Sequence, residues 1–382
     1  MTTTTKRRDR DSGSIEKRGK NWRLRYWVLD ANGKRKQKSE TVRGNKTYAN
    51  QVLSDRLTEI RNGGLVNTSD QTVAQFLGHW MQAYAATNTT LRTQQGYRHY
   101  IRSRIVPTIG SVRLQDLQGP RIQGMYADMV AEGLSNRTVL HCHRILKGAL
   151  NYAVKSKMLT HNPADSATPP RPERKSMETW DANTFRSFLD AAKGSPLLNV
   201  YRLAALTGMR RSELCGLKWD VVDLDEGYLR VTRTLQQIYG QGLVEGKPKT
   251  DRSRRTISLG DGALEVLRGV RAAQAKQRLS IGPLWRDTGY VFTDELGSPI
   301  RPDRLTKEFG QIVKAERLPH LSFHGLRHTA ASLMIAGDVH ARTIADILGH
   351  STITVTMDTY GHMMKGVQQD AINVLDEQLS RS

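Results

Sequence analysis

His324 and His328 stand four residues apart in SFHGLRHTAA, residues 322–331. On a helix that spacing puts both rings on one face, as in the H-E-x-x-H pairs that bind zinc. In that motif the glutamate beside the first histidine is the general base, and here its position is Gly325. Arg327 follows His324 by three residues and shares its face. A permanent cation there repels a divalent metal and attracts phosphate. No third soft ligand lies close by in sequence. No metal is expected, and two histidines with an arginine point toward a phosphate instead.

Other polar residues in the same half of the chain extend the set. TGMRRSEL (207–214) places Arg210 at the start of a helix after a glycine, with Glu213 one turn on. KPKTDRSRRTISL (247–259) reads as a basic hairpin with Lys249 at its tip. LGHSTITVTMDTYGH (348–362) places His350 just past a helix and Tyr360 ten residues later. The sequence contains no Gly-rich nucleotide loop and no carboxylate cluster suited to a two-metal nuclease. Two Arg, two His, one Lys and one Tyr fit metal-free cleavage of a phosphodiester by a protein nucleophile, with no cofactor. Guanidinium groups neutralise the charge that spreads over the non-bridging oxygens. A phenol with a pKa near 10 leaves more readily than an alkoxide, so the bond it forms can be reversed without ATP. The DNA leaving group is an alkoxide, and a lysine or histidine can protonate it.

The elements that must carry these residues follow from patterning. The chain has 382 residues, enough for two or three domains, and a formal net charge of +21, which points to nucleic acid as partner. The excess is uneven: residues 1–67 carry a net +10, residues 68–165 a net +6 and residues 166–382 a net +5. The front of the molecule therefore carries most of the attraction for phosphate. Cys142 and Cys215 make no disulfide framework or zinc spacing. MTTTTKRRDRD has no apolar run behind it and does not read as a secretory leader, and no segment approaches a membrane span. A cytoplasmic protein working on DNA is expected, with no membrane partner. Residues 1–13 read as disordered. WRLRYWVL predicts a strand with Trp22, Leu24 and Tyr26 on one face, Asn32-Gly33 a hairpin turn, and KRKQKSETV the return strand. A helix follows through Ala49, Val52, Leu53 and Leu57 until Gly63-Gly64. Arg23, Arg25, Lys34, Arg35, Lys36 and Lys38 are expected on the outside of this small sheet, as candidates for a DNA groove. Residues 71–160 predict four helices, with Thr89 or Thr90 and Ser135 as caps, Pro107 and Gly110 as breakers and Pro120 in a first turn. Four prolines within 163–172 predict a stiff, extended linker. Beyond it, helices alternate with strands at GYLRVTR, RRTISL and GYVF before helices dominate to the end.

TGMRRSEL, PKTDRSRRTI, HGLRH, LGH and TYGH, in that order, resemble the tyrosine recombinases, specifically the phage-type integrases. Each motif alone is weak; five in order across about 150 residues are specific. The resemblance spans the chain and implies a multidomain, mainly α fold with small β-sheets. An arm-type DNA-binding domain (1–67, a three-stranded sheet plus helix) would precede a helical core-binding domain (68–165) and a linker (166–175). An α+β catalytic domain (176–382) would follow. The resemblance further implies that Arg210 and Arg327 hold the scissile phosphate. Tyr360 would be the nucleophile, forming a 3′-phosphotyrosyl link and freeing a 5′-hydroxyl. Lys249 would be the general acid for that hydroxyl, His324 would act in proton transfer, His350 would hydrogen-bond the phosphate and Glu213 would support the site from behind. Lys247 competes with Lys249, and the K-T-x-x-S-x-R pattern favours Lys249. The ten-residue step from His350 to Tyr360 is one longer than is common in the family. His328 and His362 are expected to pack or to support the residues that touch the phosphate, and Arg211 to be solvated or to meet the DNA backbone. The implied activity is site-specific recombination of a phage or mobile element through a Holliday junction. Its implied partners are core-type and arm-type duplex sites, a homotetramer on DNA, a host DNA-bending factor and an excisionase. A catalytically silent DNA-binding regulator, and a type IB topoisomerase or telomere resolvase relative, are the rival readings.

Overall fold

The computed structural model describes residues 13–29, 35–61, 70–173, 177–248, 253–350 and 352–360. It forms two compact units, Met1–Arg174 and Lys175–Ser382.

The first unit opens with Ser14–Arg18 (β1), Asn21–Leu29 (β2) and Arg35–Arg43 (β3), an antiparallel sheet in the order β1-β2-β3. Helix Lys46–Arg61 (α1) packs on one face, where Leu24, Tyr26 and Val28 meet Ala49 and Leu53. Side chains alternate along a strand, and directly paired residues share a face. That rule corrects the expected basic surface. Arg25 pairs with Ser39 and Leu29 with Arg35, so Arg23, Arg25 and Arg35 share the open face with the exposed Trp27. Lys36 pairs with buried Val28 and Lys38 with buried Tyr26, which puts both lysines on the face that carries α1. Lys34, the Asn32-Gly33 turn and the Gly63-Gly64 stop lie outside the described residues.

Four helical stretches complete this unit around an apolar cluster of their own. Val73–Trp80 (α2) starts at a Thr72–Gln75 capping box and runs through a π-helical turn, Met81–Ala85, into Ala86–Asn88 (α3). Leu91–Tyr100 (α4), capped by the Thr90 hydroxyl, continues through a second π turn, Ile101–Ile105, into Val106–Ile109 (α5). Pro107 therefore does not end the helix. A π turn immediately before it has already interrupted the ladder of bonds that a proline cannot continue. Gly119–Ala131 (α6) has Pro120 in its first turn, and Asn136–Lys155 (α7) is capped by Ser135. Pro163–Ser166 is not extended chain but a 3-10 turn. The Asn162 side chain caps it, accepting from Ala164 N and donating to Lys147 O at 3.1 Å, and buries Pro163 and Ala164.

The second unit is built on Ala182–Ala191 (α8), capped by Asp181, Leu198–Thr207 (α9) and the short Arg211–Cys215 (α10). Strands Val222–Asp223 (β4) and Tyr228–Val231 (β5) lead to a hairpin of Thr234–Ile238 (β6) and Gly242–Gly246 (β7). Arg255–Ser258 (β8) returns to pair with β5. Two expectations change here. The strands that flank the basic segment 247–259 are not each other's partners: β7 pairs with β6 and β8 with β5, and residues 249–252, with the expected tip, lie outside the described residues. GYVF is not a strand but a single bridge between Tyr290 and Lys218, and β4 is the third strand of the β5–β8 sheet. Asp261–Ile281 (α11) and Pro302–Ala315 (α12) precede Gly325–Ala336 (α13), Ala341–Leu348 (α14) and Ile353–Tyr360 (α15). Phe188, Tyr201, Phe309 and Phe323 pack edge-to-face and tilted at the centre of the core, with α9 against both α11 and α13. Each fully buried side chain of this size contributes about 1.5–3 kcal/mol. Trp180 ties the segment before α8 to α13, its backbone N–H donating to Thr329 Oγ1 at 3.1 Å.

Candidate active site

The last turn of α14 is the meeting point. A helix ends in carbonyls with no partner of their own and a partial negative charge. Three arginines from three different elements supply the donors. Arg255 Nε donates to Ile347 O at 2.6 Å, Arg327 Nη2 to Leu348 O at 2.6 Å and Arg210 Nη2 to Gly349 O at 3.1 Å. Arg210 enters from the start of α10, Arg255 from β8 and Arg327 from α13. This accounts for the spacing of the Leu-Gly-His segment. Leu348 is fully buried, Gly349 takes a left-handed conformation (φ 65°) that ends the helix, and His350 emerges beside the guanidinium groups.

Behind the arginines lies one carboxylate. Glu213 has a side chain 1% exposed; its Oε1 accepts from Arg210 Nη1 at 2.7 Å and its Oε2 from Arg255 Nη2 at 3.0 Å. Oε2 also accepts from the Arg210 backbone N–H at 2.9 Å, fixing the start of α10. Burial alone would raise its pKa, but Arg255 and then Arg210 outweigh that and hold it below the usual glutamate value. Arg327 is 3% exposed and donates through Nη1 to Gly208 O at 2.7 Å. Gly208 ends α9 at φ 60°, and a Cβ there would come within 2.5 Å of a Leu348 methyl. Gly208→Ala is expected to cost about 1–2 kcal/mol of stability through the left-handed backbone alone, read from the chemical denaturation midpoint.

Both histidines brought to the site are held neutral. The His350 pKa falls to about 4 through burial, then Arg327 and Arg210. His324 precedes α13; it is exposed as a residue, yet burial of the ring, then Arg327 and Arg210, lower its pKa. His328 stands edge-on to His324, ring centroids 5.0 Å apart. Arg210, Arg211, Ser212, Thr306 and His324 line an adjoining cavity of about 400 Å³. Arg211 is exposed and donates to Thr306 Oγ1. Among the described residues no three His, Cys, Asp or Glu side chains cluster as metal ligands.

Residues 178–366 match the profile of the phage integrase family, and residues 72–130 match that of the phage integrase N-terminal SAM-like domain. The chain belongs to the phage integrase family of tyrosine recombinases. It is 29% identical to a XerC-like tyrosine recombinase of Caldanaerobacter subterraneus subsp. tengcongensis, over 91% of this chain and 93% of that protein. It is 28% identical to an integrase of Streptomyces ambofaciens, over 97% of each. In fold it is similar to the Tn1549 transposon integrase solved with a circular intermediate DNA (TM-score 0.68, 21% identity, 80% of this chain and 99% of that one). It is also similar to a lambda integrase tetramer bound to a Holliday junction (TM-score 0.58, 19% identity, 93% and 96%).

This tyrosine recombinase is thus an enzyme of site-specific DNA recombination. Of its sequence-predicted site residues, the structure brings together Arg210, Glu213, His324, Arg327 and His350. Tyr360 is the last residue of α15, the helix that follows His350 and packs on α14. Lys249 and His362 lie outside the described residues, and Lys247 is exposed at the edge of that segment. Arg255 was missed. It is the final arginine of the K-T-x-x-S-x-R pattern that singles out Lys249, so its signal was present in the sequence. Among the described residues no helix is long and apolar enough to cross a membrane.

Proposed function

We propose that this recombinase cuts and rejoins duplex DNA through a 3′-phosphotyrosyl intermediate, with Arg210 and Arg327 on the scissile phosphate. The observation that carries it is the set of three arginines held on the end of α14, next to two neutral histidines and ahead of the helix that ends in Tyr360. The Tyr360 oxygen attacks phosphorus, the bond to the 5′ oxygen breaks, and Lys249 gives the departing 5′ oxygen its proton. The guanidinium groups need no rearrangement when charge develops, because helix carbonyls and Glu213 already orient them. His350, uncharged, donates to a phosphate oxygen, and His324 relays protons. Attack by a 5′-hydroxyl from the partner duplex reverses the step and exchanges strands. Four protomers would resolve the Holliday junction, with residues 68–165 and 176–382 on the core site, joined through 166–175. Residues 1–67, with Arg23, Arg25 and Arg35 on the open face of the sheet and Lys36 and Lys38 on the face that carries α1, would bind arm-type sites. The substrate is the attachment site of a phage or other mobile element, with a host DNA-bending factor and an excisionase setting direction. The family membership and the breadth of the Streptomyces integrase match support this over a silent regulator.

The test is covalent trapping. Duplex from the flanks of the integrated element, nicked so that the cleaved end escapes, is expected to give an adduct stable to detergent. Arg327→Lys keeps the charge but loses the planar fork that reaches both Gly208 O and Leu348 O. It is expected to slow adduct formation by roughly 10²–10³-fold, measured by single-turnover kinetics at saturating enzyme.

A further inference from the structure

Helix α15 places a threonine hydroxyl against the imidazole of His350. His350 Nδ1 and Thr356 Oγ1 are 2.8 Å apart, and Thr356 is fully buried. Thr356 stands four residues before Tyr360 in Ile353–Tyr360, so the two positions share a helix face. A neutral imidazole has one N–H and one bare nitrogen, and the partner of one nitrogen decides what the other can do. With burial and the arginines holding its pKa to about 4, His350 is such a neutral ring. It can donate from Nε2 to an anionic phosphate oxygen only while Nδ1 is bare. A carbonyl or carboxylate beside Nδ1 would enforce the opposite form. A hydroxyl can donate to a bare Nδ1.

We propose that Thr356 is a positioning residue that couples delivery of the nucleophile to the tautomer of His350. Its hydroxyl donates to Nδ1, holds the ring in the Nε2–H form, and does so only while α15 is docked. The proposal rests on His350 as phosphate donor and Tyr360 as nucleophile. One docking event then completes two parts of the site. A protomer whose α15 has moved away loses its nucleophile and its phosphate donor together.

The test uses full-length protein with ¹⁵N-labelled histidine, the His350 signals identified by their loss in His350→Ala. The wild type and Thr356→Ser are expected to show a protonated Nε2 and a bare Nδ1. Thr356→Val keeps the shape and removes the hydroxyl. It is expected to show mixed or inverted ring nitrogens and to form adduct roughly 10- to 100-fold more slowly. Added to His350→Ala, it is expected to slow the reaction no further. An Nδ1–H signature in the wild type, or wild-type cleavage by Thr356→Val, overturns the proposal. Tyr360→Phe run alongside separates the two levels. Adduct formation by that variant would remove the nucleophile assignment itself. A dead Tyr360→Phe beside a fully active Thr356→Val would remove the coupling alone.

Discussion

Tyr360→Phe is expected to bind the same duplex as the wild type and to form no covalent adduct with it. The substitution removes one oxygen, and that oxygen is the atom proposed to join phosphorus. Loss of a nucleophile from a covalent enzyme costs at least on the order of 10⁴-fold in rate, far more than the loss of any single guanidinium donor. Phenylalanine suits a helix about as well as tyrosine, so α15 is expected to persist. Gel retardation measures binding, and denaturing electrophoresis of the nicked duplex measures adduct. An adduct from the variant at wild-type rate would sink the mechanism. A variant that neither binds nor cleaves would mean that Tyr360 serves the fold instead.

The second large effect is expected at Glu213, where one buried carboxylate serves two guanidinium groups. Glu213→Ala leaves Arg255, whose side chain is 6% exposed, without its carboxylate. Breaking a buried ion pair from one side costs about 3–5 kcal/mol. The catalytic unit is expected to unfold at lower denaturant and to lose adduct formation with it, because Arg210 is oriented by the same group. Glu213→Gln separates charge from shape, since it keeps an acceptor for one arginine. The charge also predicts a pH dependence. The folded pKa of Glu213 lies below its ordinary value, because Arg255 and Arg210 together outweigh the burial that opposes them. Its contribution to stability is therefore complete above the unfolded glutamate value of about 4.3 and disappears as pH falls through the lower folded value. Denaturation midpoints from pH 7 down to 3 are expected to fall less steeply for Glu213→Gln than for the wild type. Equal slopes would show that the carboxylate is not held by the arginines.

Most of the candidate site was legible because its residues are chemically unusual where they stand. An arginine after a left-handed glycine, a histidine after Leu-Gly and a tyrosine ten residues later each lie in short, distinctive strings. Arg255 carries a local signal as the last position of K-T-x-x-S-x-R, but RSRRTISL offers three arginines and the pattern does not say what Arg255 meets. Strand alternation with its pairing to β5, and the carbonyl of Ile347 far along the chain, make that choice. Thr356 was hidden in the same way. TITVTMDTY is rich in β-branched residues and gives a weak helical pattern, and only packing on α14 makes it a helix. Helix α11 was a plain omission, since Ala263, Val266, Leu267 and Val270 keep helical spacing and are buried on one face. The Tyr239–Gly242 turn of β6–β7 likewise carried a signal in Gly240 and Gly242, both at φ 77°.

By itself the sequence determined the chemistry on offer and the identity of the local elements. Charge, side-chain type, caps and apolar period are properties of residues and their near neighbours, and they can be read along one dimension. Tertiary structure decided which donors converge. Arg210, Arg255 and Arg327 are separated by up to 117 residues, yet they grip three consecutive carbonyls at one helix end. It also decided which face of the first sheet Lys36 and Lys38 occupy, since register belongs to a pair of strands and not to either one. The physical reason is common to both cases. Which distant carbonyl a guanidinium group reaches, and which strand lies beside another, are fixed only when packing brings remote segments of the chain together.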